Sequence, residues 1–313
     1  MLRSAFDILS KRNKLSVLIY HQVLPEFDPM RPLEVTAANF ETEVVYLKTY
    51  FNILTLRDAM RCMQDGTLPK NPAVITFDDG YENNVTVALP ILKKHQVPAT
   101  FFIASDFLNG GAMWNDKVIE LVRAWPKSTL SVEDIPDESF DTSSMSAKRF
   151  SAEQLLLKLK YLPLEQRTSA VAKLEKSVAL TGLMMSDAQV LELHSAGMEI
   201  GGHTCSHPIL ATLKDEEAFK QIKDNKVYLE RLLGEPIESF AYPNGKPNKD
   251  YSAATKQQVL KAGYKYAVST CSGVTDKYTD AYQIPRFTPW RKDKHGFLGL
   301  MAKNYFAKPA YAE

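Results

Sequence analysis

Two short stretches of the sequence carry residue types that could do chemistry together. The first is Thr76-Phe77-Asp78-Asp79-Gly80, where an apolar run ends in two adjacent carboxylates and a glycine. Inside a regular strand, neighbouring side chains point to opposite faces. At a strand end, with Gly80 permitting a sharp turn, both acids can reach one site. One can then ligate a divalent cation while the other takes a proton from cation-bound water. A solvated Asp-Gly turn is the plainer alternative. The second stretch is His203-Thr204-Cys205-Ser206-His207. Histidines four apart commonly share a metal. Gly201-Gly202 before the pair and Pro208 after it argue for a strand-end loop rather than a helix. Cys205 could be a further ligand but reads better as a small core hydrophobe. His95, His194 and His295 stand in polar or charged surroundings and read as surface residues. One carboxylate plus two imidazoles, Asp79, His203 and His207, makes an open three-ligand site with room for water and substrate.

Such a site needs elements that bring residues 78–79 and 203–207 together. Short apolar runs rich in β-branched and aromatic residues occupy 15–21, 51–56, 73–78, 99–105, 198–203, 239–243 and 264–270, with a weaker one at 283–287. Each is bounded by turn or charged residues, as buried parallel strands are. Between them, 38–50 and 212–233 space their apolar residues near the helical period, and Gly234 stands where a helix would end. This alternation predicts an α/β fold, a parallel barrel or doubly wound sheet, with both constellations at the carboxyl ends of strands. Residues 109–190 break the rhythm. They read as a charge-rich insertion, helical at 151–160 and 164–180 and polar at 131–150, covering one mouth of the barrel. With no repeat or obvious linker, 1–313 reads as one domain with an elaborated loop.

Composition sets the outer limits. Hydrophobic residues make up 45% of the 313 and charged residues 24%, ample for a core. A net charge of +1 argues against a nucleic-acid or anionic-membrane surface. Cys62, Cys205 and Cys271 are few, odd in number and far apart, which suggests no disulfide framework. No window approaches the roughly 18 consecutive apolar residues of a membrane span, and no signal peptide is visible. The expectation is a cytoplasmic protein without a membrane span; the oligomeric state is not legible.

The two constellations in this order resemble the polysaccharide deacetylases, carbohydrate esterase family four. The flanking text is similar too: Pro98-Ala99-Thr100-Phe101-Phe102, the run MSDAQVLELHSAGMEIGGHT and Phe240-Ala241-Tyr242-Pro243-Asn244-Gly245. The likeness spans about 15–287 and is weakest over 109–190. It implies a distorted (β/α) barrel of about seven strands and removal of acetyl groups from N-acetylated sugars. By the same resemblance Asp78 would be the general base, and Asp79, His203 and His207 would hold the metal. Metal-bound water would attack an amide carbonyl, and a backbone N–H at Asn244 would complete the oxyanion site.

The sequence also departs from the family pattern. Ala241 stands where an arginine usually orients the base, Asn244 replaces the usual tyrosine, and the late aspartate–tryptophan and leucine–x–histidine motifs are missing. His21, ending Leu18-Ile19-Tyr20-His21, resembles the early strand-end histidine of the poly-N-acetylglucosamine deacetylase branch and is the candidate general acid. Arg286, in Gln283-Ile284-Pro285-Arg286-Phe287, is the candidate replacement for the missing arginine. Tyr81, Trp114, Tyr242 and Trp290 are candidate sugar platforms, Trp114 foremost. Two imidazoles and a carboxylate suit zinc, but also cobalt, nickel or iron; zinc is favoured by its general frequency in such sites. The expected substrate is an N-acetylated amino sugar in a polysaccharide or its activated precursor; a nucleotide- or lipid-linked sugar suits a cytoplasmic enzyme. Two other functions fit the residues less well. One is hydrolysis of another amide or a cyclic imide on the same scaffold. The other is a carbohydrate-binding pseudoenzyme, which the missing late motifs favour and the intact acids and histidines oppose.

Overall fold

Seven of the apolar runs form strands, and every pairing in their sheet is parallel. A computed structural model describes residues 14–132, 139–160, 162, 164–175, 182–289 and 293–313. The main sheet comprises β1 (Ser16–Tyr20), β2 (Asn52–Leu54), β3 (Pro72–Phe77), β4 (Thr100–Ile103), β5 (Glu199–Gly202), β6 (Ser239–Ala241) and β7 (Tyr266–Val268). Its order is β1-β3-β4-β5-β6-β7, and β2 pairs with the first half of β3 ahead of β4. The weakest run closes the ring. Phe287 bridges β1 and Ile284 bridges β7, both in the parallel sense, so 284–287 spans the gap between the sheet's two ends. The result is a distorted (β/α) barrel.

Burial explains why the strands read as continuous apolar runs. All five residues of β1 and all six of β3 are buried. On the outer face Phe77 stacks on Phe101 at 4.7 Å and on Tyr20 at 5.5 Å, with the edge of Phe40 completing the cluster. Phe40 comes from α1 (Ala37–Tyr50), whose N-terminus Thr36 caps. Because side chains alternate along a strand, Thr76 and Asp78 share the opposite face, turned into the barrel.

Some expected boundaries move. The run 51–56 gives a strand of three residues, because Thr55 caps the next helix, α2 (Leu56–Gln64), by accepting from the Asp58 N–H. After α3 (Leu89–His95), the insertion opens with α4 (Trp114–Ala124), a helix the apolar spacing did not announce. The polar stretch 131–150 contains the second strand of a hairpin, Thr129–Ser131 with Ser139–Asp141, and the start of α5 (Met145–Lys160). Helix α6 (Leu164–Glu175) follows; the expected continuation over 176–180 lies outside the described residues. These pieces share a core of their own, built on Val118, Leu121, Val122, Phe140, Leu155 and Leu159.

Two later helices fix the histidine strand. Ser186 forms a capping box with Gln189 at the start of α7 (Asp187–Ser195), which leads into β5. Helix α8 (Asp215–Leu233) carries three acids in its first turn and ends on Gly234 in the left-handed conformation. Its buried Asn225 donates to the Ile103 carbonyl and the Ser105 hydroxyl and accepts from the His203 N–H. The ends of β4 and β5 are thereby pinned to one helix. Gly201 and Gly202 are small for a packing reason: a Cβ at Gly202 would overlap the Tyr264 hydroxyl and Asn225, and one at Gly201 the Phe102 ring. Helices α9 (Ala253–Lys261) and α10 (Lys294–Tyr305) complete the shell. No described helix is long and apolar enough to cross a membrane.

Candidate metal centre

Asp79 reaches the histidines because the chain turns one residue earlier than Gly80. Asp79 itself has φ 77°, and Gly80 follows at φ 95°. Two consecutive left-handed residues swing the second carboxylate round to the face that Asp78 already occupies. The histidine loop is built likewise, with Thr204 at φ 65° and His207 at φ 51°. Thr204 closes that loop by accepting from the His207 N–H. Non-glycine residues held in this region are costly and cluster where geometry has a purpose.

The three side chains converge. His203 Nε2 lies 3.3 Å and His207 Nε2 3.5 Å from Asp79 Oδ1. All three ligand atoms lie within 4.8 Å of one another. Two atoms each about 2.1 Å from a tetrahedral ion sit roughly 3.4 Å apart, so the spacing fits one small divalent cation. Asp79 Oδ1 is buried, and no described donor makes a hydrogen bond to it. An orphaned anionic oxygen facing two imidazole nitrogens is the donor set that a shared cation would fit. His203 donates from Nδ1 to the Ala241 carbonyl at 2.7 Å, which leaves Nε2 free to ligate. Burial pulls His207 down to about 4, so its ring is neutral and available near neutral pH. Burial also pulls on His203, but the Asp78 and Asp79 carboxylates outweigh it and hold that ring above its ordinary value. Cys205 lies outside the cluster, and burial raises its thiol to about 11.

Asp78 stands beside this group in a different role. Arg286 grips it with two parallel bonds, both 2.7 Å. The same guanidinium donates to Thr76 Oγ1 and the Ser269 carbonyl, each at 3.0 Å, and is fully buried. Burial pushes the Asp78 carboxyl up, but Arg286 foremost, and His203 next, bring it below the ordinary carboxylate value. The acid is thus ionised and oriented. Arg286 comes from the segment that closes the barrel.

A cavity of about 650 Å³ contains Asp78, Asp79, His203, His207, His21 and Arg286. His21 is half-buried one residue past β1, and its carbonyl accepts from the side chain of buried Asn84 at 2.8 Å. Glu34 shares the cavity; burial pushes its carboxyl up against the pull of His21. Asn244 also lines it, with φ 58°, and its backbone N–H donates to no described group. Lys160 from the insertion donates to the Asn244 side-chain oxygen at 2.8 Å.

The aromatic candidates separate. Trp114 lines the cavity, with the Arg167 guanidinium 4.8 Å from its ring centre. Tyr81 touches the cavity but is buried, and its hydroxyl is committed to Asp116 at 2.9 Å. Tyr242 does not line the cavity. It is fully buried, stacked on Tyr251 at 3.9 Å, and donates to the Tyr282 carbonyl. An aromatic next to a strand-end motif is as readily core as platform. Trp290 lies outside the described residues. Asn225, Asn84, Glu34 and Arg167 were not foreseen; the one signal for the asparagines is a polar residue on an otherwise apolar helical face.

A parallel barrel with an Asp-His-His cluster and a clamped carboxylate at its strand ends has the form of a hydrolytic metal site. The chain belongs to the polysaccharide deacetylase family, whose sequence model matches residues 65–133 and 165–267, more than half of its length. It is 23% identical over 289 residues to the poly-beta-1,6-N-acetyl-D-glucosamine N-deacetylase of Staphylococcus aureus, covering 88% of this chain and 79% of that one. Among solved structures it resembles a Streptococcus pyogenes deacetylase, PplD, solved with acetate, at TM-score 0.60 and 20% identity over 88% and 92% of the two chains. IcaB from Ammonifex degensii gives TM-score 0.60 at 18% identity, covering 93% and 97%. His21 and Arg286 both lie outside the matched family segments.

Proposed function

We propose that this chain is a metal-dependent N-deacetylase acting on N-acetylated amino sugars in a polysaccharide or its activated precursor. One observation carries the reading: the unpartnered Asp79 oxygen faces two histidines in the cavity where Arg286 holds Asp78 ionised. Asp79, His203 and His207 would hold one divalent cation, and zinc is the metal proposed, being the commonest in hydrolytic sites of two imidazoles and a carboxylate. When bound, that ion would polarise the acetamide carbonyl and acidify a water. Asp78 accepts the proton of the attacking water, with Arg286 fixing its orientation. The Asn244 backbone N–H faces the developing oxyanion. His21 donates a proton to the leaving amine. Trp114 gives the sugar ring an apolar face. Acetate and the free amino sugar are the products. The name of the Staphylococcus aureus relative supports the substrate class.

Paired variants test the assignment. Asp78→Asn keeps one equivalent of metal and loses acetate release from N-acetylglucosamine oligosaccharides by about a hundredfold or more. The double replacement His203→Ala with His207→Ala loses both metal and activity. Metal content that survives the double replacement overturns the ligand assignment.

A further inference from the structure

The cavity that holds Asp78, Asp79 and Glu34 is also lined by three cations besides the clamping Arg286: Arg167, Lys160 and Lys246. Arg167 is the unusual member. Three arginines are buried among the described residues: Arg31, Arg167 and Arg286. Arg31 is paired with Asp116 and Glu120, and Arg286 with Asp78. Arg167 is 8% exposed, yet no carboxylate, carbonyl or hydroxyl among the described residues accepts a hydrogen bond from it. Its described neighbour is the Trp114 ring, against which the guanidinium packs. An aromatic ring accepts no conventional hydrogen bond, so the N–H groups of a guanidinium packed on one remain available to form a fork. A buried cation without a counter-ion is costly, and an incoming anion removes that cost. Lys160 donates to the neutral Asn244 amide, so its charge is not cancelled there. Lys246 is exposed.

We propose that Arg167, with Lys160 and Lys246 lining the same cavity, is a subsite for a phosphate group of the substrate. This rests on the deacetylase reading: the acetamide lies at Asp78 and the ester phosphate at Arg167, so the substrate is a phosphorylated or diphosphate-linked acetamido sugar. Three cations exceed the single charge of a sugar carboxylate, whereas a phosphate monoester carries roughly two. The guanidinium fork matches phosphate oxygens two at a time.

The test uses zinc-loaded protein with UDP-N-acetylglucosamine, N-acetylglucosamine 1-phosphate and a neutral N-acetylglucosamine tetrasaccharide. The expected result is a higher kcat/KM for the phosphorylated substrates. In Arg167→Gln the ratio of charged to neutral kcat/KM falls by about tenfold or more, chiefly through KM, as expected for losing a charge-assisted fork. Arg167→Lys restores part of the ratio, and added salt compresses it. A preference for UDP over the 1-phosphate assigns a nucleotide-borne group; equal rates assign the sugar phosphate alone, and either supports the subsite. A preference for the neutral tetrasaccharide, or an equal fall on all substrates in Arg167→Gln, overturns it and leaves Arg167 as a prop for Trp114. If no sugar yields acetate, the deacetylase reading fails by itself and calorimetry decides the subsite. Binding of UDP-N-acetylglucosamine that weakens about tenfold in Arg167→Gln supports it; equal binding overturns it.

Discussion

Asp78 must stay charged where burial opposes charge, and Arg286 resolves the conflict with two 2.7 Å bonds. Its depressed carboxyl titrates below the unfolded value, so this pair stabilises the fold above that value and the contribution is lost as pH falls through the folded one. Arg286→Lys keeps a positive charge but loses the fork. We expect metal content to hold and kcat to drop about 10- to 100-fold. The acid limb of the kcat/KM profile moves to higher pH, because burial then acts on Asp78 with less opposition. An unchanged acid limb would show that Arg286 does not set the base. The convergence of Asp79, His203 and His207 was legible because each half of the cluster is contiguous: two acids before a glycine, two histidines after a glycine pair. Arg286 sits 208 residues from its partner, and only a vacancy in a resemblance pointed to it. Arg167 left no trace in the sequence, since its meaning lies in the partner it lacks. Tyr242 misled for the opposite reason: its packing on Tyr251 has no local pattern.

At the scale of elements, α/β alternation was legible because buried parallel strands must be continuously apolar. Boundaries shifted where a capping hydroxyl such as Thr55 took the last residues of a run for the next helix. The insertion was the least readable part, because its helices bury narrow stripes against one another rather than against the sheet. The contact between β1 and α1 offers a test. Tyr20 donates to the buried Glu43 carboxyl at 2.6 Å. Burial raises Glu43 to about 8, and the tyrosine bond opposes this. A raised carboxyl is protonated in both states at low pH, so its contribution is fully present below the unfolded value and is lost as pH rises toward 8. The loss from pH 5 to 8 is on the order of 3 kcal/mol. Glu43→Gln keeps an acceptor for Tyr20 and should flatten that part of the profile, read by urea unfolding at both pH values. Parallel profiles for variant and parent would remove Glu43 as the cause.

Across the whole molecule, the cavity is walled by two cores, the barrel carrying the acids and histidines and the insertion carrying Trp114, Lys160 and Arg167. Ion pairs join them: Arg31 and Asp28, in the segment after β1, meet Asp116, Glu120 and Arg123 of α4. Tyr81, next to the acid pair, bonds to the same Asp116. A net charge of +1 says nothing of the acids and cations that line one cavity together. In the proposed reaction one cation on Asp79, His203 and His207 makes this cavity a deacetylase. The most direct measurement is acetate release from an N-acetylated sugar panel as chelator-stripped protein is titrated with zinc. The expected result is no release from stripped protein, a rise that saturates at one equivalent, and none at any zinc level in Asp78→Asn. Release that persists after chelation, or a protein that binds one equivalent and frees no acetate from any sugar, would contradict it.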